Sequence, residues 1–276
     1  MLTDVRTLLE IAEDRGCAIP AFNVYNQETA LGVLFAAEES NACVILQMYS
    51  RLFSNFEARF LAPALVNAAR ESKVKIAFHL DHGANEEVVT KALRWGCTGV
   101  MRDASDLPLR ENITATRKVV DFCHPVNVSV EGELGHIGTT KEGVSAEYTR
   151  VDEAVTYVQE TQVDALAILV GTAHGRYAQA PVIATKRIAE IKEATGIPLV
   201  LHGGSGVPDE QITQAIGAGI RKINFGTDLC YAFLDQVMAT GREQVAVDLF
   251  MKDSIQAVKA FALSKIKLLK AVGCNE

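Results

Sequence analysis

Apolar residues open the chain at helical spacing and then gather into short runs. Val5, Leu8, Leu9 and Ala12 form one helical stripe, with Thr3 as the expected N-cap and Gly16 as the stop. Eight apolar runs follow: "AIPAFN" (18–23), "CVILQM" (43–48), "KIAFHL" (75–80), "TGVMR" (98–102), "VNVSVEG" (126–132), "DALAILV" (164–170), "PLVLHG" (198–203) and "IRKINF" (220–225). Amphipathic stretches such as "ETALGVLFAAEES", "ARFLAPALVNAARES", "NEEVVTKALRWG" and "DEQITQAIGAG" lie between them. Nearly continuous apolar strands belong to a parallel sheet covered by helices. Eight strand–helix units predict a closed (β/α)8 barrel spanning residues 1–276 as one domain, with a doubly wound sheet as the competing arrangement. The chain after residue 228 reads as additional C-terminal helices.

Composition narrows the setting. Hydrophobic residues make up 49% of 276 residues, ample material for a large core. A formal charge of −7 with scattered basic residues argues against nucleic-acid or membrane partners. The six cysteines are widely separated and form no CxxC pair, as expected of reduced thiols in a cytoplasmic protein. Neither a signal peptide nor a membrane-spanning apolar run is evident.

The polar residues at the strand ends carry the chemistry. The eight runs end, in order, at Asn23; Gln47 and Ser50; Asp81 and His82; Asp103; Glu131 and Glu133; His174; His202; and Asn224. One such residue is ordinarily a cap or a hydrogen-bonded core group. A polar group from every unit at one rim is a stronger signal, because barrels keep their active sites there. His82, His174 and His202 come from three different strands and suit a catalytic zinc, which wants three rigid protein ligands and one open position. Another divalent ion would fit the same ligands. His79 is expected to lie deeper in the core, His124 to be solvated, and His136 to sit in a glycine-rich loop near the rim.

"HGGSGV" (202–207) and "NFGTD" (224–228) follow the last two strands, where barrels form their phosphate site. Glycines there turn backbone N–H groups toward an anion, Ser205 and Thr227 add hydroxyls, and a helix N-terminus adds its dipole.

Together, "PAFNV", "HLDHG", "MRDAS", "VEGELGHIG", "GTAHGRY", "LHGGSG" and "KINFGTDL" resemble the successive motifs of the class II, zinc-dependent ketose-bisphosphate aldolases over nearly the whole chain. The likeness is greatest to the shorter branch containing tagatose-bisphosphate aldolases. It implies zinc on His82, His174 and His202, Asp81 as the catalytic acid/base, and Asp103 and Glu133 as groups behind the metal or alternative ligands. It also implies that Asn23, Ser50, Gly175, Gly203, Ser205, Asn224 and Thr227 hold a phosphorylated ketose or dihydroxyacetone phosphate, with a monovalent cation near Gly175 and Gly203. A homodimer or homotetramer is expected. Arg102 in "MRDAS" and the strand end "QMYSRL" depart from the family pattern and bear on the aldehyde half of the substrate.

The chemistry of cleavage agrees. A retro-aldol step leaves a carbanion beside a carbonyl, whose charge a Lewis acid can take up, while a base removes the C4 hydroxyl proton. The loop 135–148, rich in Gly, Ser and Thr, reads as a lid carrying Glu142, and the resemblance implies that Glu142 assists proton transfer on the dihydroxyacetone side. A Schiff-base aldolase needs an inward strand lysine, and the interior candidate is Lys222. A non-catalytic phosphosugar-binding subunit would keep the glycine loops without needing Asp81 and three histidines. Arg51, Arg102 and Arg176 lie near the rim as candidates for an anionic group at the far end of the substrate.

Overall fold

The computed structural model describes residues 1–141 and 147–276. Eight parallel strands close into a barrel: β1 (Ile19–Asn23), β2 (Val44–Tyr49), β3 (Ile76–Gly83), β4 (Gly99–Arg102), β5 (Ser129–Leu134), β6 (Ala165–Ile168), β7 (Leu199–Leu201) and β8 (Ile220–Phe225). Closure rests on the β8–β1 pairing, with Ala21 opposite Asn224, and on β3–β4, with His79 opposite Gly99. The doubly wound alternative is thereby set aside. Strand positions are buried almost throughout because helices cover the outer face while side chains fill the interior.

Several boundaries differ from those expected. Asp4, not Thr3, caps the first helix (Val5–Arg15), its Oδ1 accepting from the Thr7 N–H at 3.0 Å. Thr3 instead belongs to a two-residue strand, Leu2–Thr3, that pairs with the start of β3 below the point where β4 begins. Gly16 ends that helix in the left-handed conformation as predicted. The fifth strand starts later than its apolar run because His124–Val126 forms a 3-10 turn closed by left-handed Asn127. His124 is only partly exposed and meets Asp164 at 2.9 Å, so it is paired rather than simply solvated.

The C-terminal helix Lys252–Leu268 lies on the helix Gln27–Glu39. Gly32 permits the contact: a Cβ there would stand 2.6 Å from Val258 Cγ1 and 2.9 Å from the Ile255 carbonyl oxygen. Phe261 reaches from this helix to Phe22 and Phe225, with ring centroids 6.3 Å from each. Phe22 on β1 and Phe225 on β8 are thus covered by the C-terminal helix. Among the described residues no helix is long and apolar enough to cross a membrane, and all six cysteines are unpaired.

Candidate active site

The rim residues surround a cavity of about 340 Å³. Its geometry begins with an irregularity in β3. Leu80 lies opposite Val100, but Gly83, three residues on, lies opposite Arg102, only two residues on. The extra residue forms a bulge, and His82 takes a φ of 51°, a conformation that costs a non-glycine residue about 1–3 kcal/mol. In a regular strand Asp81 and His82 would point to opposite faces. Here both line the cavity. Gly83 completes the bulge, since a Cβ at that position would lie 2.4 Å from the Met101 carbonyl oxygen.

Three imidazoles converge beside the bulge. Their ring centroids are separated by 4.9 Å (His82–His174), 4.9 Å (His82–His202) and 5.6 Å (His174–His202). Each offers a ring nitrogen within 4.8 Å of the others. His202 Nδ1 faces His82 Nε2 at 3.2 Å, and His174 Nε2 is buried without a hydrogen-bond partner. Inward-facing nitrogens with an orphan among them are what a shared cation would satisfy, so these residues fit a bound metal. His82, Asp103 and Glu133 form a second, overlapping group of the same kind.

Two of the three ligand candidates are backed by an acid. Asp103 Oδ2 sits 2.7 Å from His82 Nδ1, and the Ser105 hydroxyl donates to Asp103 Oδ1 at 2.8 Å. Glu131 Oε1 is 2.9 Å from His202 Nε2. Its other oxygen accepts from Lys222 Nζ at 2.8 Å, with both side chains essentially sealed from water. Such partners fix the tautomer and ring orientation of a metal-binding histidine. Glu131 and Lys222 were visible in the sequence as strand residues, but their pairing required the closed barrel. Lys222 is absent from the cavity lining, so it is poorly placed for Schiff-base chemistry.

The electrostatics follow from burial and these contacts. Burial alone would depress His82, but Asp81, Asp103 and Glu133 overcome it and raise its pKa to about 10. Burial, reinforced by His82 and His202, lowers His174 to about 3. Burial and the charge of Asp103 push Glu133 up to about 8. Asp81 is held below the usual carboxylate range, because His82, His202, Lys222 and the Asn23 hydrogen bond outweigh its burial. Surroundings that favour an imidazolium at His82 equally favour a metal cation in its place.

Asp81 is positioned by amides. Asn23 Nδ2 donates to one carboxylate oxygen at 2.7 Å and Asn224 Nδ2 to the other at 3.3 Å, while Gln47 Nε2 donates to Asn23 Oδ1 at 2.9 Å. Gly175, Gly203, Ser205, Gly226 and Thr227 line the same cavity. Gly203 has φ 67° and no room for a side chain, since a Cβ would meet the Ala173 carbonyl oxygen at 2.4 Å. Tyr177, which sequence reasoning missed, ties the two loops together: its hydroxyl accepts from the Ala173 N–H at 2.8 Å and lies 3.0 Å from the Gly203 carbonyl oxygen. Thr227 begins the helix Thr227–Ala239, whose N-terminus therefore faces the cavity.

Other expectations fall differently. Ser50 opens the short helix Ser50–Ser54 and does not line the cavity, whereas its neighbours Tyr49 and Arg51 do. The Arg102 guanidinium is bonded to the carbonyls of Gly83, Ala84 and Asp103, which removes it from substrate binding. Arg176 stacks on Tyr231 outside the lining. His136 lines the cavity through Gly138 and Thr139 with the start of the 135–148 loop, and the Thr140 N–H donates to the His174 carbonyl at 2.8 Å. Glu142 lies outside the described residues.

Comparison with known proteins agrees with this arrangement. Residues 3–274 match the family Fructose-bisphosphate aldolase class-II. YdjI of Escherichia coli K12 is 37% identical, with 100% of each chain covered. The crystal structure of that protein, described as an aldolase, superposes with a TM-score of 0.92 at 36% identity, again covering 100% of both chains. A protein from Coccidioides immitis is similar at 26% identity and TM-score 0.90, over 98% of this chain and 96% of that one. Fructose-bisphosphate aldolase from Campylobacter jejuni shares the fold at 19% identity and TM-score 0.83, over 99% and 97% of the two chains. With its barrel, its cluster of three histidines and a family match across nearly its whole length, the chain belongs to the class-II fructose-bisphosphate aldolases.

Proposed function

We propose that the protein is a zinc-dependent aldolase that reversibly cleaves a phosphorylated ketose to dihydroxyacetone phosphate and an aldehyde. The observation that carries this reading is the juxtaposition, in one cavity, of three converging imidazoles, an amide-held carboxylate beside them and the glycine loops. His82, His174 and His202 would hold the metal, with Asp103 and Glu131 fixing two of the rings and Glu133 as an alternative ligand. When bound, the metal supplies Lewis acidity toward the oxygens of the ketose and takes up charge as the carbon–carbon bond breaks.

The remaining work falls to the chain. Asp81 accepts the C4 hydroxyl proton in cleavage and returns it in condensation. It is ionised for that purpose because its neighbours hold its pKa low. Asn23 and Asn224 fix its orientation. The Gly203–Ser205 and Gly226–Thr227 turns bind the phosphate, with Gly175 beside them, and so fix the reacting carbons through a remote group. A monovalent cation near Gly175 and Gly203 would assist that binding. Glu142, in the 135–148 segment of the sequence, would carry the second proton transfer. Cytoplasmic location and a homodimer or homotetramer complete the reading.

Cleavage should disappear on treatment with a chelator and return on addition of zinc. Borohydride trapping of a covalent adduct with substrate would refute the assignment in favour of Schiff-base chemistry.

A further inference from the structure

From Thr227 round to His82 the cavity wall is made by Tyr25, Arg51 and Tyr49, at the ends of β1 and β2, with Tyr25 bordering Thr227. The Arg51 guanidinium lies 5.4 Å from the Tyr25 ring centroid and 5.0 Å from that of Tyr49. Tyr49 in turn packs against His82, with centroids 5.6 Å apart. The guanidinium is thus joined to the metal cluster by one intervening ring. Arg51 is the one lysine or arginine among the described residues lining the cavity, and no described carboxylate comes within 4.0 Å to pair with it.

We infer that Arg51 selects an aldehyde bearing a carboxylate at its far end, an inference that rests on the aldolase reading above. Stacking on aromatic rings occupies the faces of a guanidinium and leaves its in-plane N–H groups free. Those groups match a carboxylate in fork-to-fork geometry. Charge points the same way. A phosphate dianion is already provided for by the glycine loops and the Thr227 helix N-terminus, whereas one guanidinium in a cavity that also holds Asp81 and Asp103 balances a monoanion better than a dianion. In condensation, dihydroxyacetone phosphate gives up a C3 proton, which passes to solvent, and its C3 bonds to the aldehyde carbon as the carbonyl π pair moves to oxygen. That oxygen receives a proton from Asp81, which has taken it up from solvent and is left ionised, and the carboxylate stays unchanged against Arg51. The product is a ketose phosphate that ends in an acid.

The test uses zinc-loaded enzyme and aldehydes of matched length. Exchange of the dihydroxyacetone phosphate C3 proton with deuterated solvent is measured first, and its absence would refute the aldolase reading itself. With exchange present, succinic semialdehyde and butanal are compared as acceptors by kcat/KM. Wild type should prefer the acid, and Arg51→Gln should reduce the acid-to-neutral ratio by about 10- to 100-fold, the usual worth of a charged hydrogen-bond pair. Arg51→Lys should recover part of the ratio. Equal losses with both aldehydes, or a rise in the dihydroxyacetone phosphate KM at constant ratio, would overturn the assignment. So would a larger Arg51-dependent preference for glyceraldehyde 3-phosphate over glyceraldehyde, which would make the site a second phosphate subsite.

Discussion

Replacing Lys222 with methionine tests how far the metal site depends on a charge beneath it. Lys222 Nζ and Glu131 Oε2 are 2.8 Å apart at 0% and 1% exposure, and His79 Nε2 lies 3.7 Å from the same oxygen. Methionine fills the volume but leaves the Glu131 carboxylate buried without its counter-charge. Breaking one side of such a pair costs about 3–5 kcal/mol. At about 2–4 °C per kcal/mol for a chain somewhat shorter than this one, Tm should fall by about 6–20 °C. Lys222 is also the largest influence opposing the burial of Glu131, whose pKa would therefore rise. A protonated Glu131 no longer fixes His202 in one tautomer, and loss of such a partner typically costs about 10- to 100-fold in metal affinity. Calorimetry of the metal-free protein and zinc titration against a competing chelator separate the two effects. Lys222→Met combined with Glu131→Gln should regain most of the stability, because no buried charge remains, but not the metal affinity. A single Lys222→Met variant with wild-type Tm and wild-type zinc affinity would refute the reasoning.

Three further outcomes are expected. His82→Ala should lose metal and activity together, whereas Asp81→Asn should keep its zinc and lose about 10²- to 10⁴-fold in cleavage while retaining more of the dihydroxyacetone phosphate proton exchange; metal stoichiometry and both rates in each variant decide it. Metal-free protein should lose stability as pH rises above about 6.5, because Glu133 holds its proton in the fold to about 8, well above the usual glutamate range, and His82 to about 10, whereas below 6.5 the depressed His79, His174 and His202 act in the opposite direction. The losses therefore span those two windows, and Glu133→Gln should flatten the lower one in a series of Tm measurements against pH. Gly32→Ala should destabilise by about 1–3 kcal/mol in denaturant titration, since its Cβ would press on Val258 and the Ile255 carbonyl.

The barrel was legible because its determinants are local. Each strand is a short apolar run, and each covering helix carries a stripe that the 3.6-residue period exposes. Resemblance supplied the identity of the three histidines, whose spacing over 120 residues between His82 and His202 carries no local signature. The supporting shell was less legible. Glu131 and Lys222 come from strands on opposite sides of β6 and β7, and nothing in either segment names the other. Tyr49 and Arg51 illustrate a different limit. Arg51 was expected near the rim, but Tyr49 was passed over for Ser50, the residue that the family pattern favours, and only the start of the Ser50–Ser54 helix shows that Ser50 leaves the cavity while its neighbours stay.

Asp81 and His82 show why a strand pattern under-reports a site. Strict alternation allows adjacent residues to serve one cavity only if the strand is broken, and a sequence reader has no direct signal for the break. The nearest clue is Gly83, which has no Cβ to collide with the Met101 carbonyl where β4 runs close. Once the bulge forms, His82 bears the conformational cost and gains Asp103 behind its ring. Asp81 gains two amide donors and the charge of its neighbour. In the proposed mechanism one histidine is thereby fixed to hold a cation, while the carboxylate before it remains free to move a proton. Both roles depend on the same extra residue. Restoring a regular β3 by deleting one residue at the bulge would turn one of them out of the cavity, so this local irregularity is part of the catalytic design rather than a defect of the barrel.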